Sequence, residues 1–439
     1  MLKRKAYNQL VNWKLKSNGR TAILVEGARR VGKSTLVEEF GKNEYKSYIL
    51  IDFANASKRI LDIFDDISNL NIFFIRLQAE TKINLYERNS LIIFDEVQLY
   101  PKARQAIKYL VKDGRYDYIE TGSLISIKKN VQNILIPSEE EKLNLFPLDY
   151  EEFQWATNGN YELLRNLFIN KISVGDSTNN KLNRDFRIYM SIGGMPQVVE
   201  AYINNNNLDE VDKLKRNIIK LYKDDFRKID PTGTLSNIYN SIPNQLTADK
   251  IKFSLPIFRN DRNSNKLFEL LDSKTVLACQ HVNDPTTFLT SSIEINKFKL
   301  YISDVGLLVT LLFNSKSANY KDIYNKLWSN TLDDNLGYLY ENALAQIIAS
   351  SGYNLYYHTW KKENSTHSYE IDFLTVRDNK LIPIEVKSNK INPHNSLSAF
   401  TNKYSHFVGE KFIISKKDQK YIDDIRNIPF YLAPFLFEE

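Results

Sequence analysis

Apolar positions in the first third of the chain alternate between short continuous runs and helical spacing. Residues 7–16 repeat apolar side chains at the helical period, and residues 21–25 form a short β-rich run that stops at a glycine. Residues 34–41 predict a helix, 48–53 a strand, and 68–85 a helix carrying Ile72, Phe73, Ile75 and Leu77. Residues 91–94 are apolar throughout, as a central parallel strand requires when both its faces are covered. Pro101 then opens a helix through Leu110, at a position where its missing N–H costs nothing, and 116–119 predict the next strand. This strand–helix alternation predicts an α/β fold with an open parallel sheet and helices on both faces.

The pattern changes further on. Residues 150–227 read as helical, broken at Gly193-Gly194-Met195-Pro196. Short helices follow from 229, then two strand-like runs, 286–290 and 297–302, then an apolar helix from Gly306, an order compatible with a winged helix. From 336 a helix precedes three strand-like runs, 355–358, 369–376 and 381–386, which form a separate α/β unit. No repeat of 20 to 50 residues is visible, and the Asn-rich patches at 176–183 and 204–207 read as surface loops.

Composition narrows the classes. Of 439 residues, 43% are hydrophobic and 26% charged, with 24 Phe and 26 Tyr, enough apolar area for packed cores and against global disorder. Cys279 is the single cysteine, so no disulfide framework exists within the chain. No apolar run approaches the ~20 residues of a membrane span. The basic start lacks the apolar core of a signal peptide, so a cytoplasmic location is the expectation. The net charge of +6 permits nucleic-acid contact.

Gly27-Ala28-Arg29-Arg30-Val31-Gly32-Lys33-Ser34 fits the phosphate-loop pattern, between a predicted strand and a predicted helix. Glycines let the backbone N–H groups wrap a phosphate, and the following helix aims its positive end at the same group. Lys33 is expected to bridge the β- and γ-phosphates of ATP and Ser34 to ligate Mg²⁺, with Thr35 completing the loop. Asp95 and Glu96 end an apolar strand 62 residues after Lys33, Asp95 as the Mg²⁺ holder and Glu96 as the base for the attacking water. An acid directly after the metal-binding aspartate matches the additional-strand branch of P-loop NTPases, with room for one extra strand between the two motifs. Thr121 and Ser123, at the end of the next strand, are the candidates to sense the γ-phosphate, with Ser123 slightly preferred. Arg104, Arg115 and Arg227 all remain open as an arginine finger.

A second set lies near the other end. Asp372 is followed by Glu385 and Lys387, and strand periodicity puts the last two on one face. Asp372 and Glu385 supply hard oxygens for a divalent metal, Lys387 orients a metal-bound water, and Glu341 reaches the same ion from the helix before. This is the pattern of the PD-(D/E)xK nuclease fold. His358 and His367 flank the set and are assigned no role, a lone histidine being more often structural.

Taken together, these motifs resemble a family of bacterial and archaeal ATPases that combine an AAA+-like P-loop domain with a DUF4143 domain. The resemblance rests on Lys3-Arg4, the phosphate loop through Thr35, Ile93-Phe94-Asp95-Glu96-Val97-Gln98, Thr121-Gly122-Ser123 and Leu145-Phe146-Pro147-Leu148 with Glu151-Glu152-Phe153. It continues through Gly193-Gly194-Met195-Pro196, the run from Leu300 to Leu307, Glu370-Ile371-Asp372-Phe373 and Pro383-Ile384-Glu385-Val386-Lys387-Ser388. Members often carry an arginine after the tryptophan at the position of Trp360, where Lys361 stands here. The resemblance implies an ATPase core over 1–155, a helical lid over 156–228, a winged-helix-like segment over 229–322 and a nuclease-like tail over 323–439. The expected activity is Mg²⁺-dependent ATP hydrolysis that controls DNA binding or cleavage by the tail. The rival is a regulatory NTPase switch that binds a protein or DNA partner without cutting. No membrane partner is expected, and a monomer, a homo-oligomer or a complex with a protein partner all fit.

Overall fold

The computed structural model describes residues 2–122, 137–205, 207–247, 261–313, 320–331, 337–363, 365–387 and 395–438. The chain divides into two compact units, 1–146 with 272–274, and 147–271 with 275–439.

Among the described residues the first unit holds five α-helices, α1 (Lys5–Ser17), α2 (Lys33–Glu44), α3 (Lys58–Ile63), α4 (Leu70–Thr81) and α5 (Pro101–Asp113). Its strands are β1 (Ala22–Glu26), β2 (Ser47–Asp52), β3 (Ser90–Asp95), β4 (Asp117–Gly122) and β5 (Glu140–Asn144), in the order β2-β3-β4-β1-β5 with every neighbour parallel. The sheet inserts β4 between the strand that feeds the glycine loop and the strand that ends in Asp95, the additional-strand arrangement that the acid after Asp95 pointed to, and β2 is the strand for which the spacing between the two motifs left room. The apolar runs of β1 and β3 are fully buried, as two-sided coverage demands. Leu24, Ile49, Ile92 and Phe94 pack with Phe73, Leu77, Ile107 and Leu110 of the covering helices in one core. The predicted helix 68–85 is shorter, because the Asn69 side chain caps α4 by accepting from the Ile72 N–H and the chain ends it in a left-handed residue, Lys82.

The second unit begins with helices α6 (Tyr150–Ala156), α7 (Tyr161–Ile169), α8 (Asp176–Ile192), α9 (Pro196–Asn205), α10 (Leu208–Ile229), α11 (Thr234–Thr247) and α12 (Asp261–Asp272). Then come β6 (Val276–Val282), β7 (Ile293–Ile302), α13 (Val305–Leu312), α14 (Tyr320–Ser329) and α15 (Gly337–Ser350). The chain continues as β8 (Leu355–Lys361), β9 (Ser368–Ile371), β10 (Phe373–Arg377), β11 (Lys380–Lys387), α16 (Asn395–Lys403), β12 (Lys411–Ser415), β13 (Lys420–Ile422) and β14 (Ile425–Pro429).

The Gly-Gly-Met-Pro break has a packing cause. A side chain on Gly194 would meet the Leu148 carbonyl oxygen at 2.0 Å, while the Gly194 N–H donates to Asp304 Oδ2 at 2.6 Å. Asp304 also caps α13 by accepting from the Leu307 N–H at 2.9 Å, so two of the sequence motifs hold each other.

Two strand expectations change. The strand expected at 286–290 is absent. The hairpin partner of β7 is β6 instead, because Asp284-Pro285 starts a turn in which Asp284 Oδ1 accepts from the Thr286 N–H at 2.9 Å. The single run expected at 369–376 is split at Asp372: β9 pairs with β8, and β10 pairs with β11. β6 pairs in parallel with β8, so the hairpin expected within the winged-helix-like segment shares one sheet, β7-β6-β8-β9, with strands of the tail. The second sheet of this unit runs β10-β11-β12-β14-β13, with β11 and β12 parallel across α16.

Candidate functional site: phosphate loop and acidic cluster

The glycine loop joins β1 to α2. Gly32 precedes α2 at φ 92°, a left-handed conformation natural to glycine, which turns the loop into the helix end. The first residue of α2 is Lys33, buried apart from 7% of its surface. Its ammonium donates to two carbonyl oxygens of its own loop, Gly27 at 3.0 Å and Ala28 at 3.1 Å. Burial holds Lys33 below the ordinary lysine range, partly offset by Glu96 and Asp95. Ala28 and Val31 are buried, whereas Arg29, Arg30 and Thr35 face solvent, with Arg30 at φ 72°. Arg4 ties the loop down from outside, donating to the carbonyls of Val31 at 3.0 Å and Phe146 at 2.6 Å. It precedes the first helix, and the Lys3-Arg4 pair is the signal that pointed to it.

β3 delivers the acids. Ser34 Oγ donates to Asp95 Oδ1 at 2.9 Å, and the Thr121 hydroxyl at the end of β4 donates to the same oxygen. Thr121 Oγ1 in turn accepts from the Glu96 N–H at 3.3 Å. Glu96 sits at φ 54°, a strained left-handed turn of the kind stored at functional sites, and its carboxylate accepts from the Gln98 amide. One hydroxyl thus links the tips of β3 and β4. Of the two candidate sensors, Thr121 occupies this position, while Ser123 lies outside the described residues. Among the candidate fingers, Arg104 is buried and forks onto Glu140 at 3.0 and 2.8 Å, and Arg115 forks onto Asp113. Arg227 is exposed.

The donor set fits Mg²⁺ with a nucleotide. A hydroxyl and a carboxylate in contact beside a helix start provide hard oxygens, and the lysine beside them is bonded to neutral carbonyls.

The second set behaves differently. α15 carries Glu341, β9 carries Glu370, Asp372 lies at the corner between β9 and β10, and β11 carries Glu385 and Lys387. Asp372 Oδ2 accepts from the Val386 N–H at 2.7 Å, and Lys387 Nζ stands 3.6 Å from Glu385 Oε2. Residues 388–394, next to Lys387, lie outside the described residues. Burial lifts Glu385, which is 2% exposed, to about 7, with Asp372 adding to the rise and Lys387 opposing it. Glu341 is likewise lifted to about 7 by burial against the pull of Lys299.

Lys299 was not foreseen. It comes from β7, where Lys299 and Tyr301 share a face at period two. Its Nζ lies 2.5 Å from Glu370 Oε1 and 3.9 Å from Glu341 Oε2, and the Tyr301 hydroxyl donates to that Glu341 oxygen at 3.2 Å. Burial alone would lower Lys299, but Tyr301, Glu341, Glu370 and Asp372 outweigh it and raise it well above the ordinary lysine range. The signal was the Lys-x-Lys-x-Tyr alternation at 297–301. Among the described residues, no group of three or more His, Cys, Asp or Glu side chains is arranged to hold a metal ion. His358 is buried between the Val282 carbonyl and the Tyr404 hydroxyl, a structural role.

Three families match parts of the chain: an AAA domain over 19–154, a domain of unknown function, DUF8612, over 183–318, and a second one, DUF4143, over 336–432. No curated protein matches. Among solved structures, the Walker-type ATPase PABY2304 of Pyrococcus abyssi is 16% identical, with 71% of this chain and 96% of that one covered and a TM-score of 0.43. AMPPCP-bound DnaA from Aquifex aeolicus is 11% identical, covering 76% of this chain and 96% of that one, with a TM-score of 0.29. Drosophila ORC bound to GC-rich DNA and Cdc6 is 14% identical, covering 70% and 91%, with a TM-score of 0.24. Among the described residues, no helix is long and apolar enough to cross a membrane. With its loop, acids and parallel sheet arranged as above, the chain carries an AAA domain of the P-loop ATPase type over 19–154 and a DUF4143 domain over 336–432.

Proposed function

We propose that ATP hydrolysis by this protein is Mg²⁺-dependent and that its nucleotide state controls engagement of DNA by the region from 323 onward. The observation that carries the hydrolytic half is the convergence of Ser34 and Thr121 on one oxygen of Asp95. Ser34 and Asp95 would hold Mg²⁺, which when bound neutralises charge between the β- and γ-phosphates. Lys33 exchanges its two loop carbonyls for phosphate oxygens, a gain in charge pairing inside a buried site. The backbone N–H groups of 27–34 and the start of α2 bind the remaining phosphate charge. Glu96, held by Gln98 and by its own N–H on Thr121, takes the proton of the attacking water. Thr121 keeps Asp95 and Glu96 in register, so it is the residue through which occupancy of the γ-phosphate site reaches β4.

In this reading 1–155 form the ATPase core, 156–228 a helical lid, 229–322 a winged-helix-like segment and 323–439 a nuclease-like tail. The DNA half is supported by the tail's helix, antiparallel β10–β11 pair and parallel β11–β12 step, with Asp372, Glu385 and Lys387 on or beside β11. The unpaired, buried Cys279 suits the cytoplasm, where ATP and reducing thiols abound. A specific observation favours the second reading, a switch that binds DNA or a protein without cutting. Lys299 already pairs with Glu341, one of the acids that a metal-dependent cut would need free, and with its neighbour Glu370.

The test is phosphate release with and without Mg²⁺, together with binding and nicking of supercoiled plasmid under ATP, ADP and no nucleotide. Hydrolysis is expected to vanish with chelator and in Lys33→Ala, and plasmid affinity to change with nucleotide. Wild-type turnover by Lys33→Ala would sink the hydrolytic half, and nucleotide-independent DNA affinity the coupling. Nicking that Asp372→Ala abolishes supports a cutting tail, whereas intact plasmid throughout supports the switch.

A further inference from the structure

We propose that Lys299 is the resident cation of the acidic cluster of Glu341, Glu370 and Asp372, standing where a divalent ion would otherwise bind, so that the tail works without a metal. The inference deepens the non-cutting reading above and does not draw on the ATP chemistry.

The geometry carries it. Lys299 Nζ is within direct ion-pair distance of Glu370 and within 3.9 Å of Glu341. Tyr301, two residues on and on the same strand face, occupies the same Glu341 oxygen at 3.2 Å. Asp372 turns one of its oxygens to the Val386 N–H at 2.7 Å. Glu385 has Lys387 at 3.6 Å. Glu341, Glu370 and Asp372 are each thereby met by a donor of the chain, whereas Glu385 has only the Lys387 ion pair, and Glu370 Oε2 and Glu385 Oε2 accept no hydrogen bond among the described residues. A divalent ion needs about six oxygens at roughly 2.1–2.5 Å. It would have to evict an ammonium that is 14% exposed and bounded on its other side by the Tyr357 ring, 5.2 Å away. Like charge opposes entry. The lysine arrives from 71 residues before Glu370, on β7, a strand that the sheet β7-β6-β8-β9 fixes against the tail's own strands. It is therefore part of the folded sheet and not a loose side chain that a metal sweeps aside.

The test uses the full chain without nucleotide or DNA, in an Asp95→Asn background that silences the phosphate-loop ligand, with Mn²⁺ binding read by electron paramagnetic resonance. Lys299→Met, which keeps most of the packing volume, and Lys299→Ala are expected to bind Mn²⁺ at least about tenfold more tightly than the background. Adding Asp372→Asn is expected to remove the gain. Circular dichroism establishes that each variant is folded. Because Lys299→Ala removes buried volume, the background protein supplies an independent reading. Tight Mn²⁺ binding there that Asp372→Asn abolishes overturns the proposal, since the ion would then enter despite the lysine. Folded Lys299 variants that bind no better than the background overturn it as well. Either result leaves the ATPase reading standing, and failure of that reading would leave the Mn²⁺ signal unchanged.

Discussion

Lys33 and Lys299 both reach into acid-bearing, largely buried sites, and their surroundings are opposite. Lys33 is bonded to neutral carbonyls and held below the ordinary lysine range by burial. Lys299 is bonded to carboxylates and held far above it, because those charges outweigh the burial. An ammonium without a bonded carboxylate has charge to give to an incoming phosphate. One that is already matched has little to give and serves to neutralise its neighbours. Acids and lysines in proximity therefore do not by themselves mark a ligand site. What marks it is whether the chain has already balanced them.

Three substitutions bear on that contrast. Glu96→Gln, the largest, is expected to lower hydrolysis about 100-fold or more while leaving nucleotide binding in place. Phosphate release and binding of a fluorescent nucleotide check this. Equal loss of binding would mean that Glu96 supports the loop itself, as the tail acids support their strand.

Next is Glu385→Gln. Burial lifts Glu385 to about 7 from an ordinary 4.5. Below 4.5 both folded and unfolded chains hold the proton. Between the two values the unfolded chain releases it while the folded chain keeps it, so stability falls as pH rises through this window and levels off above about 7. The amide cannot ionise, so the variant is expected to gain about 2 kcal/mol relative to wild type between pH 5 and pH 8. Urea denaturation at both pH values measures it, and parallel profiles would break the comparison.

Smallest is Thr121→Val, which removes the hydroxyl between Asp95 and Glu96. It is expected to cost about tenfold in kcat and to raise the Mg²⁺ concentration needed for half-maximal rate. A rate unchanged at all Mg²⁺ concentrations would leave Thr121 a passive strand end.

The phosphate loop and Asp95 were legible because their chemistry is local. A glycine loop announces itself within eight residues, and the apolar run 91–94 can be little else but a buried strand ending in acids. The place of β4 was legible through Glu96, since an acid directly after Asp95 marks the additional-strand branch. Thr121 was legible as one of two candidates, and alternation distinguishes it from Glu120, which points to the other face of the sheet and is buried there. Lys299 was hidden because its partners are 42 and 71 residues away and depend on the pairing of β6 with β8, which no local pattern encodes. The misplacement of β6's strand onto 286–290 has a local root. β-Branched threonines there favour extended chain, but the aspartate and proline before them impose a turn.

Asp372 is where the backbone leaves one sheet and enters the next, and its carboxylate is latched to the far end of β11. The two sheets thus share a single-residue clasp. Any molecule that competes for that carboxylate would loosen both at once, and contact at one small spot would become a rearrangement of many strands.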